Sequence, residues 1–320
     1  MHAFITGAAG FVGSNLTDKL LARGHTVTGY DNFSTGIHAF LDRARSNANF
    51  RLITGDLLDT ERLCAAIAGA DMVFHLAANA DVRFGLEHPR KDLEQNTIAT
   101  FNVLEAMRLN GVRTILFSST GSVYGEATVI PTPEDAPFPV QTSLYGASKL
   151  ACEGLITAYV EGYGLRGHIF RFVSVLGERY THGHVFDFVK SLLSDPTKLH
   201  ILGDGLQRKS YMHVADCVGA MLTVLERADG KLNIYNLGTD EYCRVNDSAE
   251  WIAARLGYSP QLSYSGGDRG WIGDNPFIFL DTRRIRSLGW EPRFDIRTAV
   301  QSTVDWLVGN PWVFQQRNQH

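Results

Sequence analysis

The sequence predicts an α/β protein with a doubly wound parallel sheet and a smaller, interleaved lobe toward the C-terminal end. In the first half, short apolar runs alternate with longer amphipathic stretches, which is the pattern of βαβ units. After about residue 175 this pattern loosens, and glycine and proline punctuate the chain more often. The helical stretch 214–228 and the apolar run "NIYNLG" then restore it. Together these observations indicate a Rossmann-type sheet with a second lobe.

The expected elements follow the order that such a sheet requires. Seven apolar runs predict the strands, which are "HAFIT", "TVTGYD", "FRLITGD", "MVFHLAA", "TILFSST", "GHIFRFVSV" and "NIYNLG". Amphipathic stretches between these runs predict helices at about 12–23, 60–68, 90–110 and 145–163.

The same patterns divide the chain into parts. Residues 1–173, with returning segments at about 211–238, are assigned to the sheet domain. Residues 174–210 and 239–312 are assigned to the second lobe. The polar stretch within 313–320 is expected to be a tail.

Composition excludes several classes of function. The net charge of −4 gives no basic stripe for nucleic acid and no polybasic patch for a membrane surface. No stretch approaches the ~20 apolar residues that would span a bilayer, and the N-terminus does not resemble a signal peptide. The cysteines (Cys64, Cys152, Cys217 and Cys243) are far apart and form no C-x-x-C. We expect reduced, mostly buried thiols, no metal site and a cytoplasmic location.

A glycine-rich loop follows the first strand. "GAAGFVG" places Gly7, Gly10 and Gly13 between an apolar run and a helix, where glycines let the backbone approach a pyrophosphate at the helix N-terminus. The next strand ends at Asp31, which is 18 residues beyond Gly13. A carboxylate there can bond both ribose hydroxyls of an adenosine and would repel a 2′-phosphate, which favours NAD over NADP. The alternative is a tight βα turn with Asp31 as a solvated cap.

Other strand ends carry residues that suit the same cofactor. Asp56 ends "ITGD", where it could meet the adenine. Ala77 and Ala78 in "FHLAA" would let the backbone approach the pyrophosphate. His75 in the same run is better explained as a packed histidine than as a catalytic group.

"SLYGASK" contains a tyrosine and a lysine that share one helix face, because Tyr145 and Lys149 are four residues apart. A free phenol has a pKa near ~10 and is a poor base at neutral pH. An adjacent ammonium and a positive nicotinamide ring would stabilise the phenolate and lower that pKa. The pair therefore suggests a general base, although the same spacing also occurs by chance.

Hydroxyl side chains follow the strand "TILFSST". Ser118, Ser119 and Thr120 emerge at a carboxyl end of the sheet, where open α/β sheets bind ligands, and they can donate to a reacting oxygen. A Ser/Thr-rich turn without function is the alternative.

These motifs together resemble those of the extended short-chain dehydrogenase/reductase family, in particular its nucleotide-sugar 4-epimerases. The matching segments fall in order over residues 3–220, and "GGDRGWIGDNP" extends them to about 276. They are "GAAGFVG", "DNFSTG", "GDLLD", "FHLAA", "SSTGSVYGE", "YGASK", "RFVSVLGERY" and "QRKSYMHVADC".

The resemblance implies roles for individual residues. Tyr145 is the base, Lys149 modulates it, and Thr120 bonds the sugar oxygen. The sheet domain binds NAD tightly and the second lobe binds the nucleotide sugar. The implied cofactor-binding residues are Gly7, Gly10, Phe11, Val12, Gly13, Asp31, Asn32, Ser34, Thr35, Gly36, Asp56, Leu57, Leu76, Ala77, Ala78, Asn96, Ser118, Tyr145 and Lys149.

The residues after Thr120 bear on the type of reaction. The family's 4,6-dehydratases carry Asp-Glu where this chain has Gly121 and Ser122, so no carboxylate is available there to protonate a leaving hydroxyl. Its decarboxylases usually carry a glutamate in place of Ser122. Small residues suit 4-epimerases, whose keto intermediate must rotate, so the resemblance favours epimerisation at carbon 4 of a UDP-hexose. UDP-glucose/UDP-galactose is the default, with UDP-N-acetylhexosamine and UDP-glucuronate close behind.

Residues of the second lobe are candidates for the substrate. Arg208, Lys209 and Arg269 suit a diphosphate, although solvated loop cations explain each one equally well. Ser174 stands where the epimerases commonly have an asparagine. The implied substrate-binding residues are Thr120, Ser122, Ser174, Arg208, Lys209 and Arg269. His182 and His184 could approach a sugar, but we expect them to be surface histidines.

Two other functions stay open at this point. One is a nucleotide-sugar reductase, dehydrogenase or decarboxylase of the same family. The other is a non-catalytic NAD-binding sensor, which would have no need of the tyrosine base. The resemblance also implies a homodimer, in which the helices near 90–110 and 145–163 form a four-helix interface.

Overall fold

The computed structural model describes residues 1–137, 140–271, 274–275 and 277–316. Within them the strands are β1 (His2–Thr6), β2 (Thr26–Asp31), β3 (Phe50–Thr54), β4 (Met72–His75), β5 (Thr114–Thr120), β6 (Arg166–Phe172), β7 (Ser174–Leu176), β8 (Lys198–Ile201), β9 (Arg208–Lys209), β10 (Tyr211–His213), β11 (Leu232–Leu237), β12 (Cys243–Arg244), β13 (Gln261–Tyr264) and β14 (Phe277–Ile278).

The helices alternate with the strands of the first half as expected. They are α1 (Phe11–Ala22), α2 (Asp42–Arg45), α3 (Thr60–Ile67), α4 (Val82–Glu87), α5 (Pro89–Asp92), α6 (Ala99–Asn110), α7 (Leu144–Tyr163), α8 (His184–Ser194), α9 (Val214–Arg227), α10 (Val245–Leu256), α11 (Arg283–Arg286), α12 (Ile296–Gly309) and α13 (Val313–Gln316). A π-helical turn, Leu93–Ile98, joins α5 to α6. Single 3₁₀ turns lie at His38–Leu41 and Gly121–Tyr124.

The central sheet has seven parallel strands in the order β3-β2-β1-β4-β5-β6-β11. The chain winds outward from β1 in one direction and from β4 in the other. The carboxyl ends of β1 and β4 therefore flank a crevice, which is where open α/β sheets bind ligands. This order confirms the predicted doubly wound, Rossmann-type sheet.

The strands of this sheet are apolar because helices cover both faces. Ala3, Phe4 and Ile5 of β1 are fully buried, so side chains on both sides of the strand lie in a core. Helix α7 begins at a cap, since the Ser143 hydroxyl oxygen accepts a hydrogen bond of 3.0 Å from the Gly146 N–H. It ends at Gly164, whose φ of 66° suits glycine.

The second lobe has its own apolar core, formed mainly by α8, α10 and α12. Three small sheets surround it, pairing β7 with β10, β8 with β13, and β9 with both β12 and β14. The core also includes Phe40 from the sheet domain, so the two parts share buried surface.

After β10 the chain returns to the central sheet. Strand β11 adds to the edge of the sheet beside β6, and α9 packs against α1. The pairing of β7 with β10, however, joins residues that the sequence assigned to different parts. The expected polar tail begins with α13, whose Val313 is buried, and residues 317–320 lie outside the described residues.

A buried ion pair ties helix α7 to the sheet. The Nη2 and Nε atoms of Arg171, on β6, lie 2.7 Å and 3.1 Å from the carboxylate oxygens of Glu153, on α7. Their side chains are 2% and 5% exposed. The Ser119 hydroxyl donates to the same carboxylate, and Arg171 also donates to the Tyr124 hydroxyl at 2.6 Å. The ion pair of Arg171 and Glu153 therefore connects helix α7 to strands β5 and β6 and to the 3₁₀ turn after β5.

Removing one partner of this pair should destabilise the protein strongly. Arg171→Met leaves the Glu153 carboxylate buried without its cation, so we expect the free energy of unfolding to fall by about 3–5 kcal/mol. Urea unfolding followed by circular dichroism measures this. The matched control is Arg255→Met, which breaks the half-exposed Arg255–Asp305 pair and should leave stability close to that of the parent. Equal losses in the two variants would contradict the prediction.

Candidate active site

The glycine loop packs directly on the end of β4. Gly7 has a φ of 70°, and a Cβ atom at Gly7 would lie 2.7 Å from the Ala77 nitrogen. A Cβ atom at Gly13 would lie only 2.1 Å from the Gly7 carbonyl oxygen. Both positions therefore require glycine, because any other side chain would push the loop away from β4 or from its own helix.

Asp31 organises this loop from the neighbouring strand. Its carboxylate oxygens accept hydrogen bonds of 2.8 Å from the Ala9 and Phe33 backbone N–H groups. A Cβ atom at Gly36 would lie 2.7 Å from the same carboxylate. Asp31 is 8% exposed, and burial raises its pKa while the two N–H donors lower it. It is not the solvated cap that the sequence left open as an alternative.

The residues that follow β2 and β3 are linked beside Asp31. The Asn32 side-chain amide donates to the Asp56 carboxylate at 2.8 Å, and Asn32 in turn accepts from the Ser34 N–H at 3.0 Å. Asp56 also accepts from the Leu58 N–H at 2.9 Å. The segments "DNFSTG" and "GDLLD", far apart in sequence, therefore form one polar rim.

His75 is the packed histidine that the sequence predicted. It is fully buried, and its ring nitrogens bond the hydroxyls of Thr6 at 2.7 Å and Thr100 at 2.9 Å. Burial lowers its pKa to about 3, so it stays neutral. The adjacent Leu76 and Ala77 N–H groups donate to the same Thr6 hydroxyl, which fixes the end of β4.

Tyr145 lies on the first turn of α7 and is hydrogen-bonded to Thr120, the last residue of β5. Burial raises the pKa of its phenol to about 12, and the hydrogen bond to Thr120 opposes this rise. Thr120 also bonds Ser122, whose hydroxyl lies 3.2 Å from the threonine oxygen. The structure thus brings Tyr145 together with Thr120 and Ser122, which lie more than twenty residues earlier in the sequence.

Lys149 lies one turn further along α7 and is 2% exposed. Its Nζ donates to the Ser118 carbonyl oxygen at 2.8 Å and lies 4.7 Å from the centre of the Phe117 ring. Burial lowers its pKa to about 8. The ammonium is therefore held at the carboxyl end of β5, beside the helix face that carries Tyr145.

Asn96 supports the site from the π-helical turn. Its side-chain oxygen accepts from the Asn79 N–H at 2.8 Å, and its amide donates to the Ser148 hydroxyl at 2.9 Å. Ser148 donates to the Tyr145 carbonyl oxygen at 2.8 Å. Asn96 therefore joins the loop after β4 to the first turn of α7. π-helical turns often occur at functional sites, where they re-aim a side chain.

The hydroxyls of strand β5 differ in their partners. Ser119 was expected to be able to donate to a reacting oxygen, and this is wrong, because Ser119 is 2% exposed and donates to Glu153. Side chains alternate along a strand, so Ser119 faces away from Ser118 and Thr120. The Ser118 hydroxyl donates to the His75 carbonyl oxygen at 3.2 Å.

The predicted diphosphate cations already have protein partners. Lys209 Nζ lies 2.5 Å from the Asp274 carboxylate and 2.6 Å from the Asn275 carbonyl oxygen. Arg269 Nη2 donates to Glu126 at 2.6 Å. The Arg208 guanidinium lies 3.9 Å from the centre of the Phe277 ring. Their roles in substrate binding stay predictions.

Other predicted residues of the second lobe are placed as follows. Ser174 is exposed on β7, next to the carboxyl end of β6. His184 is not the expected surface histidine, because it bonds Ser248 at 2.7 Å and stacks on Tyr211. Burial lowers the His184 pKa to about 3. His182 is partly buried beside Tyr180.

Sequence reasoning missed Glu153, Arg171 and Asp92. An arginine inside the apolar run "HIFRFV" is a usable signal, because a charge in a buried strand needs a partner. Glu153 follows Lys149 by four residues on the same helix face, which also could have been noticed. For Asp92 the only signal is its spacing of four residues from Asn96.

Comparison with known proteins assigns the family. A family described as the NAD-dependent epimerase/dehydratase family matches residues 3–238. The chain belongs to this family. This confirms the resemblance that the motifs suggested.

Individual members of the NAD-dependent epimerase/dehydratase family match over nearly the whole chain. The UDP-glucose 4-epimerase of Mycolicibacterium smegmatis is 33% identical over 315 residues, which is 96% of this chain and 98% of the relative. A crystal structure of a UDP-galactose 4-epimerase superposes with a TM-score of 0.88 at 37% identity, covering 98% of this chain and 100% of that chain. The UDP-glucose 4-epimerase of Thermotoga maritima, solved with UDP-glucose, has a TM-score of 0.88 and 31% identity, covering 97% and 100% of the two chains.

The crevice of this family member fits NAD. The N-cap residue of helix α1, Gly10, provides no side-chain cap, so the first N–H groups of α1 are left for an anion. The glycine positions form a cradle that any Cβ atom would fill. Asp31 lies buried at the end of β2, where its charge would meet a ribose and repel a 2′-phosphate.

Asp31→Ala should reduce the preference for NAD over NADP. It removes the carboxylate that would accept from the ribose hydroxyls, so we expect the ratio of the two dissociation constants to change by about tenfold, the equivalent of one hydrogen bond to a charged group. Fluorescence titration with NADH and NADPH measures both constants. In the control, Asp56→Ala, the binding of NADH and of NADPH should weaken by the same factor, because both contain the adenine that Asp56 is predicted to meet. An unchanged ratio in Asp31→Ala would remove the argument for NAD selection.

Proposed function

We propose that this protein is an NAD-dependent nucleotide-sugar 4-epimerase, which inverts carbon 4 of a UDP-hexose by transient oxidation to a 4-keto sugar. The observation that carries the proposal is the cluster of Tyr145, Thr120 and Lys149 at the carboxyl end of β5, beside the glycine crevice. The 4-epimerase names of relatives that match almost the full chain support it.

Tyr145 is the proposed base for the 4-hydroxyl. Thr120 bonds the phenol and would share the sugar oxygen, so the proton has a defined path from sugar to Tyr145 and back. Burial, opposed by the hydrogen bond to Thr120, raises the phenol pKa to about 12, too high for a base at neutral pH. A further positive charge beside the ring must lower it, and the positive nicotinamide ring of bound NAD would supply one.

NAD, when bound, supplies the hydride acceptor and donor for carbon 4. The glycine loop and Asp31 would hold its adenosine and pyrophosphate, and Lys149 and Asn96 lie where they can support the nicotinamide side. Because the cofactor is restored in each turnover, tight binding costs the reaction nothing. We therefore expect NAD to remain with the purified protein.

The turn after Thr120 carries small residues. Gly121 is buried, and a Cβ atom there would lie 2.9 Å from the Ile278 side chain, so glycine is needed for the packing of this turn. Neither Gly121 nor Ser122 carries an acid, so the segment offers no group to protonate a leaving hydroxyl. Epimerisation needs only the return of hydride and proton, and this composition suits it better than dehydration.

The diphosphate of the substrate is proposed to meet Arg269, Arg208 and Lys209. Arg269 is the favoured partner, because its pair with Glu126 is partly exposed and exchangeable. Lys209 is held more firmly, since Asp274 is 4% exposed. Incubation with UDP-, GDP-, CDP- and dTDP-sugars, with products identified by NMR, tests the nucleotide and the hexose.

Tyr145→Phe should abolish turnover while NAD stays bound. Loss of the base should lower kcat by roughly 10²–10⁴-fold, and the cofactor contacts of the glycine loop are untouched. Absorbance of the released cofactor and NMR of the sugar measure the two properties. The control is Tyr159→Phe, a phenol on the same helix that donates to Glu105 at 2.5 Å, which should keep full activity. Full activity in Tyr145→Phe would refute the proposed base.

We also propose a homodimer in the cytoplasm. Exposed apolar side chains lie on the π-helical turn, α6 and α7, among them Leu93, Phe101, Leu109 and Tyr163. A four-helix interface would bury them.

The cytoplasmic location is supported by the cysteines. Cys64, Cys152, Cys217 and Cys243 are free, with no disulfide among the described residues, as a reducing compartment favours. Among the described residues no helix is long and apolar enough to cross a membrane.

Phe101→Glu should convert the dimer into monomers. A charge placed at the centre of an apolar interface must be desolvated, so we expect the dissociation constant to rise by at least about tenfold. Analytical ultracentrifugation at micromolar concentration measures it. Leu193→Glu on α8 is the control, because Leu193 is 43% exposed against 44% for Phe101 but lies outside the proposed interface. A parent protein that sediments as a monomer would exclude the dimer.

A further inference from the structure

A buried carboxylate with no assigned role lies behind the active site. Asp92 ends α5, just before the π-helical turn, and is 1% exposed. Its Oδ1 accepts from the side-chain amides of Asn79 at 2.9 Å and Asn96 at 3.3 Å. Its Oδ2 is buried and has no hydrogen-bond partner among the described residues. A buried carboxylate oxygen without a donor is costly and calls for a physical reason.

The surrounding backbone holds this carboxylate in place. A Cβ atom at Gly85, on α4, would lie 2.1 Å from Oδ2, so glycine alone lets α4 pack on Asp92. On the other side, Asn96 connects Asp92 to Ser148 and through it to the backbone of Tyr145. The side chain is therefore clamped between α4 and the first turn of α7.

Among the described side chains, few ionisable groups shift the pKa values of Asp92 and of Lys149, the nearby cation. Asp81, before α4, raises the Asp92 pKa, and burial raises it most; Lys149, from α7, lowers it. In the other direction, burial lowers the Lys149 pKa most, and Cys152, Glu153 and Asp92 raise it. Glu153 is already paired with Arg171, which leaves Asp92 as the carboxylate free of an ion pair.

We propose that Asp92 is a positioning residue of the active site, whose buried carboxylate holds Asn79 and Asn96 against α7 and supplies the negative charge that balances the ammonium of Lys149. Without that charge the ammonium would be a buried cation that, among the described residues, donates to the neutral Ser118 carbonyl oxygen. This inference rests on the proposed roles of Tyr145 and Lys149, but the coupling between Asp92 and Lys149 can be measured without any substrate.

Asp92→Asn separates charge from shape. The amide oxygen can still accept from Asn79 and Asn96, while the negative charge is lost. The Lys149 pKa, at about 8 in this structure, should then fall by roughly 1 unit, the order expected for losing one nearby opposite charge. NMR of ¹³Cε-labelled lysine measures it, with Lys149→Met to assign the signal. Glu94→Gln is the control, since Glu94 pairs with Arg90 at the surface and should leave the Lys149 pKa unchanged.

The pH dependence of turnover provides the second measurement. Asp92 raises the pKa of Tyr145 as well as that of Lys149, so its loss should lower both. Turnover that needs the phenolate and the ammonium should then shift toward acid on both limbs of its pH profile. A residue that merely stabilises the fold would lower kcat equally at every pH.

The reciprocal experiment protects the test against misfolding of Asp92→Asn. Because the coupling acts both ways, Lys149→Met should raise the Asp92 pKa, which ¹³Cγ NMR of labelled aspartate reports. An unchanged Lys149 pKa in Asp92→Asn, or an unchanged Asp92 pKa in Lys149→Met, would overturn the proposal. Absence of epimerase activity together with a shifted Lys149 pKa would refute the proposed function and leave the role of Asp92 supported.

Discussion

The bidentate ion pair between Glu153 and Arg171 is the constraint on which the geometry of the active site depends. It is almost fully buried and joins α7 to β6, while Ser119 and Tyr124 bring β5 and the following turn to the same charges. Such a pair stabilises the folded protein little more than an apolar contact of the same shape would, but removal of one partner strongly destabilises it. Its effect is therefore to select one position of α7 on the sheet, and with it one position for Tyr145 and Lys149 relative to Thr120.

Burial sets the electrostatics that follow from this position. The phenol of Tyr145 and the ammonium of Lys149 are both pushed toward their neutral forms, to pKa values of about 12 and about 8. A site of this kind is inactive as a base until further charge arrives, because the residues around the phenol do not offset its burial. In the proposed reaction, binding of a positively charged cofactor and deprotonation of the sugar would thereby be linked. In our proposal, the buried carboxylate of Asp92 gives that linkage a negative counterpart.

Local chemistry made much of the site predictable. Glycines at three-residue spacing between a strand and a helix, an acid at the end of the next strand, and tyrosine and lysine four residues apart each reflect a backbone or helix geometry that acts within a few residues. The packed state of His75 was also predictable, since an apolar run leaves a histidine few other roles. In contrast, Ser119 donates to Glu153, and His184 is half-buried against Ser248 and Tyr211, and these partners are distant in sequence.

By itself, the sequence determined the doubly wound sheet and the family, because hydrophobic period and turn chemistry are local properties. Only the tertiary structure decided which charges face each other: that Arg171 holds Glu153, that Lys209 is held by Asp274, and that Asp92 lies behind Asn96 and Asn79. The reason is physical. The energy of a charge depends on its burial and on the groups within a few ångströms of it, and for these residues that neighbourhood is assembled from chain segments that no local pattern connects.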